Sequence, residues 1–222
     1  MKPRPLLTAA ALTLTATLLT ACGADQSTTD DTPIAGADQS PTPTTESDTS
    51  TPTPSPENAP DGVDLSLPDD VNLLFEWDTP EDENEAAALE DAANYIRAIY
   101  RGVSRGTSDD AAVVTYAIDH GLEYARTQID IRTSDGYTAT GTRQHYQATT
   151  RSDPSSEVVE VSFCSDSSIF YGKEVKTEKV HKTEPSIGDY DFYRIAMIKH
   201  PADESLWRAA EVFVESEAEQ CR

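Results

Sequence analysis

The chain has 222 residues, with 17 Lys or Arg against 40 Asp or Glu, so its formal net charge is −23. Only 37 % of the residues are hydrophobic, and no stretch of ~20 uninterrupted apolar residues occurs, which excludes a protein that crosses a membrane several times. The acidic excess also argues against nucleic acid as a partner, because phosphates are bound by patches of Lys and Arg. The charge is uneven, since no Lys or Arg lies between Arg4 and Arg97.

The N-terminus has the parts of a secretory signal. Lys2 and Arg4 supply positive charge, residues 6–19 form an uncharged run, and Leu-Thr-Ala-Cys-Gly follows at 19–23. This ending resembles a bacterial lipobox, which implies cleavage before Cys22 and a diacylglycerol, with palmitate-type chains, on that cysteine. We therefore expect a lipoprotein signal peptide at 1–21 and anchoring through Cys22 to the outer face of the cell membrane. An ordinary secretory signal that contains a Cys is the alternative.

Residues 22–62 are predicted to be a disordered tether. Thr, Ser, Pro, Asp and Glu occupy 29 of the 40 positions from 23 to 62, and no aromatic or basic residue occurs there. Such a segment buries too little apolar surface to offset the entropy lost on ordering. We interpret it as a spacer that carries a domain away from the membrane, and its Ser/Thr/Pro content also fits O-glycosylation.

Residues 63–222 hold every aromatic residue of the chain and are predicted to form a single domain. After a short apolar segment at 73–77, Thr79-Pro80-Glu81-Asp82 predicts a helix start with the Thr79 hydroxyl as the cap. Apolar residues recur at three- and four-residue steps from Leu89 to Val103, which predicts one buried face. Gly106 predicts the end of this helix.

Two further helices and four strands are predicted after Gly106. The second helix begins at Ser108-Asp109-Asp110 and runs toward Gly121, and the third covers residues 122–131. The strands are predicted at Tyr137–Thr149, Glu157–Cys164, Tyr190–Lys199 and Leu206–Glu215. Helices followed by strands predict the fold class α+β, with three N-terminal helices packed on a curved antiparallel sheet.

The order of these elements, with YDFYRIAMIK at 190–199 and Leu-Trp at 206–207, resembles the nuclear-transport-factor-2-like family, whose fold is cone-like. The lipobox, the acidic stalk, FCSDSS at 163–168, EVKTEKV at 174–180 and the closing Cys221 resemble uncharacterised actinobacterial lipoproteins. Relatives with the cone-like fold include ketosteroid isomerase, polyketide cyclases, dehydratases and non-catalytic modules. The resemblance therefore implies a fold and leaves the function open.

The two cysteines other than Cys22 are predicted to form a disulfide. An exported protein permits the bond, and Cys164–Cys221 would hold the C-terminus on the sheet. A buried free thiol and a catalytic nucleophile are the alternatives.

An enzyme of the cone-like fold would need a carboxylate or His with a tuned pKa inside the domain. The weak candidates for such a catalytic group, with Tyr included, are Asp166, His145, Tyr124, Tyr146 and Tyr193. The Cys-Ser-Asp-Ser-Ser context of Asp166 is more typical of a turn, with the carboxylate bonded to the backbone two residues on. We assign no catalytic residue, and no matched acid and base can be placed together.

Metal and cofactor binding are not predicted. His120, His145, His181 and His200 lack ligand spacing, and no Cys-x-x-Cys occurs. The acidic residues from Asp69 to Glu85 lack the Gly and spacing of a calcium loop, so we interpret them as a solvated acidic face.

Four of the six Lys residues lie at three-residue steps, at Lys173, Lys176, Lys179 and Lys182. We interpret them mainly as charges that protect the edge of a sheet. The alternative is a basic flap that meets an anionic partner such as wall polymer, lipid headgroups or the acidic N-terminal part of this chain.

Together these patterns predict a membrane-anchored extracytoplasmic lipoprotein with a non-catalytic binding or interaction domain. Its partner would be an envelope protein, a wall polymer or a small ligand. The alternative is an isomerase, cyclase or dehydratase that uses an inward carboxylate. A deep apolar pocket would favour the enzyme, and a pocket filled by Tyr and Phe would favour the interaction module.

Overall fold

The structure is a computed structural model that describes residues 62–152 and 157–222. The predicted signal peptide, Cys22 and the tether as far as residue 61 lie outside the described residues. The described chain is α+β, consistent with the cone-like fold. Its elements are β1 (Val71–Glu76), α1 (Glu83–Arg105), α2 (Ala111–Tyr116), α3 (Asp119–Thr133), β2 (Tyr137–Ser152), β3 (Val158–Glu174), β4 (Val180–His181), β5 (Tyr190–His200) and β6 (Asp203–Ser216).

Helix α1 begins later than predicted. The carboxylate of Asp82, and not the hydroxyl of Thr79, caps it by accepting hydrogen bonds from the backbone N–H groups of Asn84 (2.9 Å) and Glu85 (3.0 Å). A carboxylate at this position satisfies two orphan donors and also favours the positive end of the helix dipole. The predicted end is confirmed, because Gly106 has φ 69° in the left-handed region.

The other two helices also differ from the prediction. Helix α2 has six residues and ends at Tyr116 instead of continuing toward Gly121. It stops because Ala117 turns to an extended backbone and bridges to Ala209 of β6. Helix α3 starts at Asp119, three residues before the predicted start.

The sheet is mixed, and not purely antiparallel as predicted. The strand order is β1-β2-β3-β5-β6, with β4 paired to β3 beside this path. Strand β1, which the sequence marked only as an apolar segment, pairs in parallel with β2. Three helices connect β1 to β2, and a long crossover of this kind is what a parallel pair requires. The remaining strand pairs are antiparallel.

Strand β3 is twice as long as its prediction and continues to Glu174. It pairs with β2 along one side and with β5 over residues 158–166 along the other. The predicted turn at Asp166 is therefore wrong, because two neighbouring ladders outweigh the turn preference of the Ser and Asp residues.

The helices pack on one face of the sheet, which we call the inner face. Val159, Val161 and Phe163 point there and are buried, whereas Val158 is 39 % exposed on the opposite, outer face. This alternation confirms the prediction for the start of β3. None of the helices in the described residues is both long and apolar enough to span a membrane.

Candidate functional site

The space between α1 and the inner face is centred on the buried guanidinium of Arg143. It donates hydrogen bonds from Nε to Ser165 Oγ (2.6 Å) and from Nη2 to Asp191 Oδ2 (2.9 Å). It also donates from Nη1 to the Tyr100 hydroxyl and from Nη2 to the Tyr193 hydroxyl (3.2 Å). We call these five residues the Arg143 network. The buried cation is balanced by the Asp191 carboxylate, as a charge in a core must be.

Strand alternation directs Arg143 inward, because it lies two residues from the buried His145 and four from the buried Ala139 on β2. The ladder between β2 and β3 shifts register between Thr142 and Gln144, where two residues of β3, 167 and 168, lie opposite Arg143. Strands β3 and β5 then supply Ser165 and Asp191, which lie opposite each other in the antiparallel pair.

His145, a weak catalytic candidate, lies beside this network on the same strand. Its ring is buried, stacks on Phe75 with 4.6 Å between centroids, and has Nδ1 3.1 Å from the Leu74 carbonyl oxygen. Burial, with a further contribution from the positive charge of Arg143, lowers the pKa of His145 to about 3. The imidazole is therefore neutral at ordinary pH and donates from Nδ1 to the Leu74 carbonyl.

Aromatic side chains fill the rest of the interior. Burial raises the pKa of both Tyr124 and Tyr193, so both keep their protons, and their hydroxyls interact with each other. Phe163 stacks on Tyr193 with 5.1 Å between ring centroids. The remaining cavity has a volume of about 10 Å³. This is the space of about one water molecule.

The interior formed by the described residues is therefore largely filled by side chains. Acid–base catalysis needs a group that exchanges protons near the working pH and a space for substrate beside it. Here His145 is held neutral, Asp191 is paired with Arg143, and the tyrosines keep their protons. The space left beside them is that of about one water molecule.

Two other candidates lie away from this interior. Asp166 is on the outer side of β3, half-buried, and its Oδ1 accepts a hydrogen bond from the Ser168 N–H at 2.7 Å. The predicted bond to the backbone two residues on is thus present without the predicted turn. The Tyr146 hydroxyl donates to the backbone oxygen of Cys221.

The C-terminal residues lie on the outer face beside Tyr146. The sulfurs of Cys164 and Cys221 are at bonding distance, 2.02 Å, as the disulfide prediction requires. The N–H of Ala218 donates to the Tyr190 carbonyl at 2.9 Å, and Ala218 and Cys221 are buried. We call residues 217–222 the C-terminal clasp. Because the clasp covers part of the outer face, only the remainder is open to a partner.

That remainder is an exposed surface on β3, β5 and β6. Phe213 is 52 % exposed, and the guanidinium of Arg194 lies 4.5 Å from the centre of its ring. Glu160 and Glu211 flank Ala196 in the next row of the sheet. These residues, with His120 and Val212, line a hollow of about 430 Å³. Aromatic residues are enriched at protein–protein interfaces relative to the rest of the surface, so this hollow is the candidate surface for a partner.

The described residues contain no group of three or more His, Cys, Asp or Glu able to hold an ion. His120 lies 3.4 Å from Glu123, and His181 lies 2.7 Å from Glu174. Acidic residues of the segment 69–85 are bound individually: Asp70 contacts Lys173 and Thr140, and Glu85 accepts from Thr150 at 2.7 Å. They are not gathered around one point.

Lys173 is at the end of β3, Lys176 is in the following turn, and Lys179 and Lys182 flank β4. Lys173 forms an ion pair with Asp70. The other three are exposed, and Lys182 has Nζ 5.9 Å from the ring centre of Tyr171. Lys173 thus differs from the other three, because a carboxylate neutralises its charge.

Sequence reasoning missed Arg143, Asp191 and Tyr100. Arg143 lies on the same side of β2 as Ala139 and His145. Because alternate residues of a strand share a face, this even spacing was the sequence signal that Arg143 points inward. Its partners are 22 to 50 residues away in the chain, so their meeting could not be read from local spacing.

Comparison with known proteins does not assign the chain to a family. No family model matches it, and no curated protein matches its sequence. Similar solved structures include a Catenulispora acidiphila protein in complex with S-DNPA, with 12 % identity and a TM-score of 0.40 over 60 % of this chain and 95 % of that one. A protein described as a ketosteroid isomerase from Shewanella frigidimarina has 14 % identity and a TM-score of 0.33, covering 60 % of this chain and 98 % of that one. The intermembrane space region of the chloroplast protein ARC6 has 10 % identity and a TM-score of 0.34, covering 58 % and 96 %. At these TM-scores the likenesses carry no argument about function.

Proposed function

We propose that this chain is a membrane-anchored extracytoplasmic lipoprotein whose domain is a non-catalytic interaction module. The anchor is the lipid expected on Cys22, and the partner binds the outer face of the sheet around Phe213. The partner class that suits an open surface is another macromolecule of the envelope, either a protein or a wall polymer. A small ligand would need an enclosed site.

The filled interior is the observation that carries this proposal. Arg143, Tyr193 and Tyr124 line the cavity between α1 and the sheet, in which about 10 Å³ remains. The competing hypothesis is an isomerase, cyclase or dehydratase, which needs an inward carboxylate free to accept a proton. Asp191 is a carboxylate of the Arg143 network, where it is engaged in an ion pair with Arg143 at 2.9 Å.

A photocrosslinking amino acid at position 213 of the full-length protein tests the surface. After irradiation of intact cells of the source organism, we expect a discrete crosslinked species that mass spectrometry identifies as the same partner in repeated preparations. The matched control is the same amino acid at Ile131, which is 61 % exposed on α3. Equal crosslinking at both positions would contradict a partner site at Phe213.

The anchor has a separate test. We expect Cys22→Ser to abolish labelling by an alkyne analogue of palmitate and to move the protein from the membrane fraction to the soluble one, because acyl chains contribute ~0.8 kcal/mol per buried methylene. Cys164→Ser is the control and should stay in the membrane fraction. Retained labelling of the Cys22 variant would contradict lipidation at that residue.

A further inference from the structure

The free edge of β6 runs along the proposed partner surface. Strand β6 is last in the strand order, with β5 on one side. At Ala209 the other side is occupied, because the N–H of Ile118 donates to the Ala209 oxygen at 3.0 Å. Beyond that point, residues 210–216 have β5 as their only ladder partner among the described residues. An unpaired strand edge is a template for another strand.

Two hollows flank this edge. The hollow of about 430 Å³ lies over Ala196 and Phe213, and a second of about 420 Å³ is lined by Asp119, Glu123 and Ala210. His120 and Glu211 line both, so the two hollows adjoin each other along the strand. An added strand would therefore have space for its side chains beside residues 210–213.

The charges on the edge define what it can pair with. Glu211, Phe213 and Glu215 alternate on the exposed side of β6, and Val212 and Val214 alternate on the side that packs against the core. The guanidinium of Arg194 lies over the Phe213 ring, and Glu215 accepts a hydrogen bond from the neutral Gln220 amide at 3.4 Å. Negative charge from Glu211 and Glu215 is therefore in excess along this edge. Lys or Arg directly opposite a Glu stabilises a strand pair.

The same alternation disfavours a second copy of this chain. In an antiparallel pair of β6 strands centred on Phe213, Glu211 of one copy would lie opposite Glu215 of the other. Like charges directly opposite are destabilising. The edge from 210 to 216 also has no Pro or Lys, two of the residues with which natural sheets block edges against every partner. In that register the acidic edge repels itself, whereas it accepts a basic strand.

We propose that residues 210–216 bind an extended basic segment of a partner protein by strand addition, in which Lys or Arg alternates with apolar residues. Backbone hydrogen bonds to β6 provide the affinity, and pairing with Glu211 and Glu215 provides the selectivity. This inference rests on the proposed function, since it names the partner chemistry for the same surface.

Binding of labelled peptides to the full-length protein in detergent micelles tests the pairing. The probe is a nine-residue peptide of alternating Lys and Val, followed by fluorescence anisotropy. Two further versions carry N-methyl groups either on every Val or on every Lys amide, which leaves the charge unchanged. In a strand pair only alternate N–H groups face the neighbour. We therefore expect one N-methylated peptide to bind about tenfold or more weakly and the other to bind as the parent does.

Charge variants complete the test. Glu211→Lys with Glu215→Lys should weaken the parent peptide about tenfold. The control, Asp130→Lys with Asp135→Lys at the far end of α3, makes the same change in net charge and should leave binding within about twofold.

Equal loss in both double variants would overturn the proposal in favour of unspecific attraction. Equal binding of the two N-methylated peptides would overturn strand addition, and a peptide-competed dimer of this chain would assign the edge to a second copy. The crosslink at position 213 is a separate readout, so failure of strand addition is distinguishable from failure of the proposed function.

Discussion

Arg143 and Asp191 form an ion pair between the sheet and the helices, with 2.9 Å between Nη2 and Oδ2 and side-chain exposures of 6 % and 17 %. Both residues belong to strands of the sheet, and Arg143 also donates a hydrogen bond to Tyr100 of α1. The pair therefore belongs to a network that ties the sheet to α1.

Asp191→Ala should be strongly destabilising. The variant leaves the Arg143 guanidinium buried without a counter-charge, and breaking such a pair costs about 3 kcal/mol or more of the free energy of unfolding. Urea denaturation followed by circular dichroism measures the loss. The control is Asp109→Ala, which removes the exposed partner of Arg126 and should cost about 1 kcal/mol or less. Similar losses in the two variants would contradict a structural role for the buried pair.

The disulfide should contribute substantially to stability. Cys164 and Cys221 are separated by 57 residues, and a closed loop of that size corresponds to about 4 kcal/mol in the chain-entropy description. We expect Cys164→Ser with Cys221→Ser to lower the unfolding midpoint in urea accordingly. A thiol assay on the mature protein, denatured without reductant, should detect no free thiol. Two reactive thiols per chain would show that the bridge is not formed.

The parts of the fold that the sequence predicted are those set by local chemistry. Gly106 ends α1 because the chain needs a left-handed residue there, and Val159, Val161 and Phe163 alternate because one side of β3 is buried. The parallel β1–β2 pair and the length of β3 depend on neighbours far along the chain. The Arg143 network could not be predicted for the same reason, because its members come from β2, α1, β3 and β5. In addition, Arg is rarely buried, so its residue type did not mark Arg143 as a core residue.

Stability should decrease in acid partly through His145. Its folded-state pKa, about 3, lies below the value of about 6.5 in an unfolded chain. The unfolded state therefore binds the proton more readily, so this stabilisation is complete above about pH 6.5 and is lost as the pH falls toward 3. The slope attributable to this one group is at most about 1.4 kcal/mol per pH unit.

The variant His145→Asn isolates this contribution. Asn keeps a donor for the Leu74 carbonyl but does not titrate. The free energy of unfolding, measured from pH 7 to pH 4.5, should fall less steeply in the variant than in the wild type. Carboxyl groups with lowered pKa, such as Asp70 and Glu85, affect both proteins equally. Parallel curves would show that His145 is not buried in its neutral form.

The lysines on the β3–β4 segment are expected to protect the sheet edge and not to bind an anionic partner. Lys173 is already paired with Asp70, so the informative variant changes Lys176, Lys179 and Lys182 to Ala and keeps Lys173. It should bind purified cell wall and anionic vesicles as the wild type does, because edge protection requires no anionic partner. Removing charges from an edge favours intermolecular strand pairing, so light scattering should show more self-association at high protein concentration.

Loss of wall or vesicle binding in the triple variant would support the basic flap in place of edge protection. Lys173→Ala, which removes the Asp70 contact alone, is the control and should lower the free energy of unfolding by about 1 kcal/mol or less without promoting association.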